Sequence, residues 1–293
     1  MEALQLFKYN MINKNIRIIP RLDIKGPNLV KGIHLEGLRV LGRPEDFAKV
    51  YYEGGADEIF FQDIVASLYD RNSLKDIISQ TAKNIFIPIT VGGGLRTIND
   101  INQVLRSGAD KVSINTAGLR NPNFIYEAAN KFGSSTIVVA IEAIRQHNGE
   151  YHCFIDNGRE ETGVEVKYWA KEVQNLGAGE LIITSVDKEG TKEGLDIELI
   201  SEINKIVSIP VIVHGGVGKL EDIKNGIDAG ADGVAIASLL HYSTYNSFNS
   251  SGAARTTEGN VAFLNNIDKR KFKTITIEDI KYFLAENNIT CRI

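Results

Sequence analysis

Short apolar, mostly β-branched runs punctuate the chain at 16–19, 58–61, 85–91, 111–114, 136–141, 180–184, 210–213 and 233–237. They predict eight strands. Amphipathic helical stretches lie between most of them, with N-terminal caps written into the sequence. Ser73 with Asp76, Thr97 with Asp100 and Thr276 with Asp279 each place an acid three residues after a hydroxyl at the start of such a stretch. Strand alternating with helix implies parallel pairing through right-handed crossovers. Eight such units in about 250 residues make a closed (β/α)8 TIM barrel, expected here as one domain over residues 1–293.

The same pattern is written twice. Residues 87–116 (IPITVGGGLRTINDINQVLRSGADKVSINT) align without a gap on 209–238 (IPVIVHGGVGKLEDIKNGIDAGADGVAIAS), at a spacing of 122. The same spacing carries Phe47-Ala48-Lys49 onto Trp169-Ala170-Lys171 and Glu58 onto Glu180. A period this long marks a duplicated half-barrel rather than a solenoid. Each copy places a glycine turn after an apolar strand: Gly92–Gly94 in one, Gly215 and Gly216 in the other. Such turns let backbone amides approach an anion, with a helix N-terminus behind them. Each is followed one unit later by Asn115-Thr116 or by Ala237-Ser238. Two matched anion sites predict a small substrate with a phosphate at each end.

Composition narrows the class. Of 293 residues, 43% are hydrophobic, enough for a full core, and the net charge of −4 gives no reason to expect nucleic acid. Two cysteines, Cys153 and Cys291, fit a reducing cytoplasm better than a disulfide framework. No basic-then-apolar leader and no run of about 20 apolar residues appear, so neither a signal peptide nor a membrane span is expected. The five histidines lack metal-ligand spacing. No metal and no cofactor are expected.

Three segments exceed the basic unit: a long loop at 25–44, the stretch 145–162 with a two-residue hairpin turn at Asn148-Gly149, and a polar insertion at 242–273. All follow strands, so all should lie over the C-terminal rim, where such barrels keep their chemistry. Asp23 closes the first strand and Glu142 the fifth. Acids ending strong apolar strands are costly unless paired or functional. These two strands lie opposite each other in an eight-stranded barrel, an arrangement suited to one general acid and one general base. Pairing with a nearby Lys or Arg is the alternative. Lys31 is a candidate cation for an anion site. His214, between a strand end and two glycines, is a candidate phosphate donor or proton shuttle, or a packing residue.

Taken in order, IIPRLDIK, LVKGIHLEGLR, GGADEIFFQDI, FIPITVGGGLRT, GADKVSINTA, KFGSSTIVVAI, WAKEVQNLGAGELIITSVDKEGTKEG and SIPVIVHGG resemble the cyclase subunit of imidazole glycerol phosphate synthase. The resemblance runs from about residue 16 to 242 and resumes at 274. It implies a barrel that takes ammonia from a separate glutaminase subunit, as a heterodimer, and closes an imidazole ring on a two-phosphate ribotide. The products are imidazole glycerol phosphate and an aminoimidazole carboxamide ribotide, in histidine biosynthesis. Carried over, the catalytic acids fall on Asp23, Glu142 and Glu189. One phosphate site falls on Lys31, Gly93, Asn115 and Thr116. The other falls on Gly190, Thr191, Gly215, Gly216, Ala237 and Ser238, with His214 beside it. A ring of alternating charge at the N-terminal mouth, an ammonia gate, falls on Arg17, Glu58, Lys111 and Glu180.

The departures from the family pattern cluster on the substrate face. Glu142 and Glu189 stand where the family has aspartate, Arg21 where it usually has cysteine, His214 where it usually has serine, and the 242–273 insertion is foreign to it. Two further readings therefore stand beside the cyclase. One is a paralogue that uses glutaminase-derived ammonia to form an amidine on a nucleotide-activated amino sugar for surface polysaccharide. The other is a barrel that only docks and activates a glutaminase.

Overall fold

The computed structural model describes residues 14–66, 74–251 and 274–292. In chain order the elements are β1 (Arg17–Lys25), β2 (Asn28–Ile33), β3 (Glu36–Gly42), α1 (Pro44–Glu53), β4 (Ile59–Asp63), α2 (Lys75–Thr81), β5 (Ile89–Gly92), α3 (Ile98–Arg106), β6 (Lys111–Ile114), α4 (Thr116–Arg120), α5 (Asn123–Phe132) and β7 (Ile137–Arg145). The second half adds β8 (Tyr151–Ile155), β9 (Glu160–Glu165), α6 (Val166–Asn175), β10 (Glu180–Ser185), α7 (Ile197–Asn204), β11 (Val211–His214), α8 (Leu220–Asp228), β12 (Gly233–Ile236), α9 (Ser238–Ser251) and α10 (Ile277–Glu286). Strands β1, β4, β5, β6, β7, β10, β11 and β12 pair in parallel in that order, and β12 returns to β1 to close the barrel. β1 and β7 are opposite, as the eight-strand reading requires.

Alternate residues of a strand face the barrel interior, and the side chains stack there in layers. Arg17, Glu58, Lys111 and Glu180 form the lowest, bound to one another. Ile19, Phe60, Val138, Ile182, Ile212 and Ala235 make a buried apolar layer above them. Arg21, Gln62, Ser113, Ala140, Thr184 and His214 come next, and Asp23 and Glu142 stand at the top. Outside the strands a second, larger core fills the space beneath the helices.

The caps at Thr97 and Thr276 form as read. Thr97 Oγ1 accepts from Asp100 N at 3.1 Å while Asp100 accepts from Thr97 N at 2.9 Å, and Thr276 does the same with Asp279. The Ser73 cap lies outside the described residues, as does 252–273 of the polar insertion. The insertion's first residues, 242–251, continue helix α9.

Two expectations need correction. Residues 25–44 are mostly a β-ribbon, β2 and β3, rather than a loop. The hairpin between β7 and β8 has three loop residues, not two. Gln146 N donates to Glu150 O at 2.7 Å, so His147, Asn148 and Gly149 form the connection, with Gly149 at φ 90°.

The duplication reaches further than the sequence identities. α1, α3, β5 and β6 recur as α6, α8, β11 and β12 at the same spacing of 122. The ribbon turns repeat too: His34 and Leu35 adopt left-handed backbone (φ 49° and 61°), as do Asp156 and Asn157 (φ 52° and 64°). The two turns meet over the mouth, where Asn157 Nδ2 donates to Leu35 O at 3.2 Å across an interval of 122 residues.

Gly93 shows why glycine stands after β5. Its φ is +98°, and a Cβ there would lie 2.2 Å from Asp63 O. Gly55, at φ +85°, has open space around it. Gly55→Ala is expected to cost about 1 kcal/mol from the left-handed backbone alone. Gly93→Ala adds an overpacking cost, for a total of roughly 3 kcal/mol. Urea unfolding of the two variants checks this, and equal losses would contradict the close approach.

Candidate active site

β1 carries Arg21 and Asp23 into the mouth, β2 brings Lys31 across from the ribbon, and the loop after β10 supplies Glu189. All four are buried, and they form one ion-pair chain. Arg21 Nε lies 3.0 Å from Asp23 Oδ1, and Lys31 Nζ lies 3.3 Å from Asp23 Oδ2 and pairs closely with Glu189 Oε1. Glu189 Oε2 accepts from Leu35 N at 3.3 Å, and its carbonyl accepts from His34 N at 2.9 Å. The ribbon turn is thereby tied to the far side of the barrel.

Glu142, at the end of the barrel part of β7, stands apart from this chain. Its Oε2 accepts from Gly158 N at 2.8 Å. Gly158 is delivered there by three successive left-handed residues, Asp156, Asn157 and Gly158.

The two acids therefore differ electrostatically. Burial raises the pKa of both, but for Asp23 the adjacent Arg21 and Lys31 more than reverse this, and its carboxyl is held well below the usual range. For Glu142 burial dominates; Arg21 and the Gly158 amide offset it only in part, and the group is pushed up to about 7. Burial also lowers Lys31, yet Glu189 and Asp23 raise it overall, so it stays an ammonium. His214 is lowered well below its usual value, first by burial and then by Arg21 and Lys31. It is a neutral ring whose Nδ1–H donates to Ala235 O at 3.0 Å, leaving Nε2 with a lone pair and no hydrogen-bond partner. A phosphate-donor role for His214 does not fit this tautomer.

Two cavities flank the ion-pair chain. One, of about 260 Å³, is bordered by Arg21, Glu142, Gly93, Gly94, Asn115 and Thr116 among others. The other, of about 410 Å³, is bordered by Lys31, Arg39, Gly190, Lys192, Ser238 and Tyr242. The first thus holds the glycine turn of one repeat, but the matched turn at Gly215 and Gly216 borders neither cavity: the second is lined by the first-half ribbon together with Gly190, Lys192, Ser238 and Tyr242. Gly215, Gly216 and Ala237 are buried behind the loop after β10, with Gly194 N donating to Gly216 O at 2.8 Å. Thr191 Oγ1 donates within its own loop to Lys188 O at 2.8 Å. Lys31 borders the second cavity, but its ammonium is occupied by the two acids.

At the opposite end the four residues expected to form a gate make a closed ring of ion pairs. Arg17 reaches Glu58 at 3.2 Å and Glu180 at 2.7 Å; Lys111 reaches the same two carboxylates at 2.8 and 3.4 Å. Among the described residues no group of three or more His, Cys, Asp or Glu side chains is placed to hold a metal, and no helix is long and apolar enough to cross a membrane.

The family model described as "Histidine biosynthesis protein" matches residues 17–246. The chain belongs to that family. Subunit HisF of imidazole glycerol phosphate synthase from Legionella pneumophila is 56% identical to it over 208 residues, covering 71% of this chain and 98% of the relative. The subunit of the same name from Bifidobacterium longum (strain DJO10A) is 45% identical over 233 residues, 78% of this chain and 91% of its own length. That from Alkaliphilus metalliredigens is 45% identical over 233 residues, covering 79% and 92%.

Several residues of the site escape sequence reasoning. Thr184 Oγ1 accepts from Arg21 Nη1 at 3.0 Å, and His241 Nε2 donates to the Arg21 carbonyl at 2.9 Å. Tyr51, 190 positions from His241, donates its hydroxyl hydrogen to His241 Nδ1 at 2.6 Å. Only the unusual arginine before the first acid marks this cluster in the sequence.

Because folding raises the Glu142 pKa to about 7, the native state binds a proton that the unfolded chain has already lost. Its contribution to stability is full below the ordinary carboxylate range and is lost as pH rises through about 7. Asp23, depressed in the fold, acts in the opposite sense and loses its contribution only in acid. Glu142→Gln is therefore expected to gain stability over wild type between pH 5 and pH 8, on the order of 3 kcal/mol at most. Paired urea titrations at the two pH values test this, and a constant difference would mean that Glu142 titrates normally.

Proposed function

We propose that this chain is the cyclase subunit of an imidazole glycerol phosphate synthase. It is a lyase that adds ammonia to a two-phosphate ribotide, closes the imidazole ring and releases an aminoimidazole carboxamide ribotide in histidine biosynthesis. The observation that carries the reading is the pair of cavities on either side of the acids, one bordered by Gly93, Asn115 and Thr116 and the other by Gly190 and Ser238. Backbone amides at Gly93 and at Asn115–Thr116 take one phosphate; those around Gly190 and Ser238, with Lys192 nearby, take the other. The reacting part of the substrate then lies over Arg21, Asp23 and Glu142.

The two acids divide the work. Asp23, locked between two cations, keeps its charge and orients the cations around it. Glu142 exchanges protons near neutrality and serves as the general acid and base. A barrel that merely docks a partner has no use for a carboxyl buried at this cost, and the names of the relatives favour the cyclase over the amino-sugar reading. A glutaminase subunit docks on the N-terminal face, and ammonia enters through the Arg17–Glu58–Lys111–Glu180 ring.

The assay is turnover of the two-phosphate ribotide by the purified chain with an ammonium salt. Glu142→Asp withdraws the carboxylate by about 1 Å and abandons the Gly158 amide, so activity is expected to fall on the order of 10²-fold. A rise would mean that glutamate is a drifted, ill-fitting substitute. Absence of ribotide turnover by the wild type would remove the cyclase reading.

Lys111→Ala separates entry from chemistry. Glutamine-dependent turnover in the reconstituted complex is expected to drop about tenfold or more, while turnover with added ammonium salt stays within about twofold. Equal losses in the two assays would remove the gate.

A further inference from the structure

Arg21 occupies the point where the barrel's axial column opens into the mouth. Its guanidinium carbon lies 5.5 Å from the centroid of the Phe60 ring, which belongs to the buried apolar layer below. Nε is taken by Asp23 and Nη1 by Thr184, each at 3.0 Å, while Nη2 makes no hydrogen bond with any described residue. The residue is 3% exposed and borders the first cavity together with Glu142, Gln62 and Ser113.

Its position is over-determined. The Arg21 carbonyl accepts from His241 Nε2, whose Nδ1 accepts the Tyr51 hydroxyl hydrogen, and both partners are buried. Burial holds His241 neutral by lowering its pKa to about 3, so one tautomer is fixed. A long, flexible cation has been immobilised by a ring on one face, by hydrogen bonds at two of its nitrogens and from its own backbone. The same cavity is unfinished on its polar side: Ser113 and Asn115 border it, and Ser113 Oγ and Asn115 Oδ1 are buried without hydrogen-bond partners. It is built for a ligand carrying several polar atoms.

The other cations on this cavity are differently engaged. Arg120 is half exposed and pairs with Asp156 and Glu160, and Arg96 Nη2 donates to the Ala66 carbonyl at 3.0 Å. Arg21 is the buried cation beside Glu142.

We propose that Arg21 is a catalytic residue: its Nη2 edge receives the oxygen of the acceptor carbonyl and stabilises the negative charge that gathers there as ammonia adds to the carbonyl carbon. The proposal rests on the ammonia-using reading above and specifies which group acts as electrophile. The nitrogen lone pair forms the new C–N bond, and the π pair of the carbonyl moves to oxygen. That oxygen takes the Glu142 proton, and the nitrogen, now carrying one hydrogen too many, returns a proton to the Glu142 carboxylate. The product is a neutral carbinolamine, and Glu142 ends as it began. A fixed guanidinium in a water-poor site needs no reorganisation as charge develops, which is where such donors are most effective.

A structural role, as counter-ion to Asp23, is the competing account, and lysine separates the two. Arg21→Lys keeps a positive charge for Asp23 but loses the second donor edge. Arg21→Ala removes both. With ammonium salt as nucleophile, both variants are expected to lose roughly 10²–10³-fold in kcat with KM for the ribotide changed little, and ethylguanidinium is expected to restore part of the Arg21→Ala activity. Loss of the Arg21 charge also moves the Glu142 limb of the pH–rate profile upward, because that charge lowers the Glu142 pKa. Near-wild-type kcat in Arg21→Lys, or an Arg21→Ala variant that folds by circular dichroism yet is not rescued, would overturn the proposal. If the wild type fails with the ribotide, the cyclase reading falls. The same variants are then compared on an N-acetamido nucleotide sugar, the other carbonyl acceptor, with the same criteria. Wild-type turnover with neither would overturn the Arg21 proposal as well.

Discussion

Four buried charges in a row, Arg21, Asp23, Lys31 and Glu189, set the terms for the rest of the mouth. Removing ions from water costs several kcal/mol each, and only close pairing with further hydrogen bonds offsets it. This chain of pairs meets that demand by recruiting three separate elements: β1, the ribbon strand β2, and the loop after β10. The pairing therefore does geometric work. It draws the ribbon tip across the barrel so that His34 and Leu35 bond to Glu189, and it leaves Glu142 as the carboxyl outside the network. The separation of the two acids in acidity follows from who is paired, not from which residue type stands at either place.

The asymmetry is superimposed on a near-symmetric frame. In the stacked interior, Ile19 of β1 is matched across the barrel by Val138 of β7, Arg21 by Ala140, and Asp23 by Glu142. The acids are thus structural equivalents, but 119 residues apart, whereas most of the duplication runs at 122. The connection between β7 and β8 is longer than the turn at Gly26-Pro27, and the three-residue difference is absorbed before the ribbon turns come back into step. Duplication supplied two glycine turns, two ribbons and two acids. One half alone places two cations, Arg21 and Lys31, against its acid, and that pair holds Asp23 charged while burial raises Glu142.

The sequence carried the barrel almost whole, because period and repeat are local signals. β6 begins and ends where its apolar run does, and the caps at Thr97 and Thr276 form as their spacing requires. The ribbon at 28–42 was hidden because its turn uses left-handed His34 and Leu35, residues that give no turn signal, and because Lys31 and Arg39 interrupt its apolar positions. The site was legible as a set of candidates and not as an arrangement. Asp23 and Glu142 were marked by their places at strand ends and Glu189 by resemblance, yet nothing in the chain order says that Lys31 would be consumed by two acids instead of facing a phosphate. The Tyr51–His241–Arg21 relay joins positions from opposite ends of the chain, and only the closed barrel brings them together.

The vertical order of the layers gives the departures from the family pattern a physical sense. A small nucleophile on the barrel axis first meets the charged ring, where carboxylates and cations already satisfy one another. It next meets an apolar layer in which an ammonium ion would have to shed its hydration without compensation. Above that layer it meets a fixed guanidinium, which repels a cation and leaves a neutral amine unaffected. Each layer discriminates in the same direction, so ammonia reaching Glu142 by the proposed route would arrive with its lone pair free. A cysteine in place of Arg21 would keep the lower two steps and lose the third. On the proposed reading the third step and the charge-stabilising donor are one side chain, which would tie exclusion of ammonium to activation of the carbonyl that ammonia attacks.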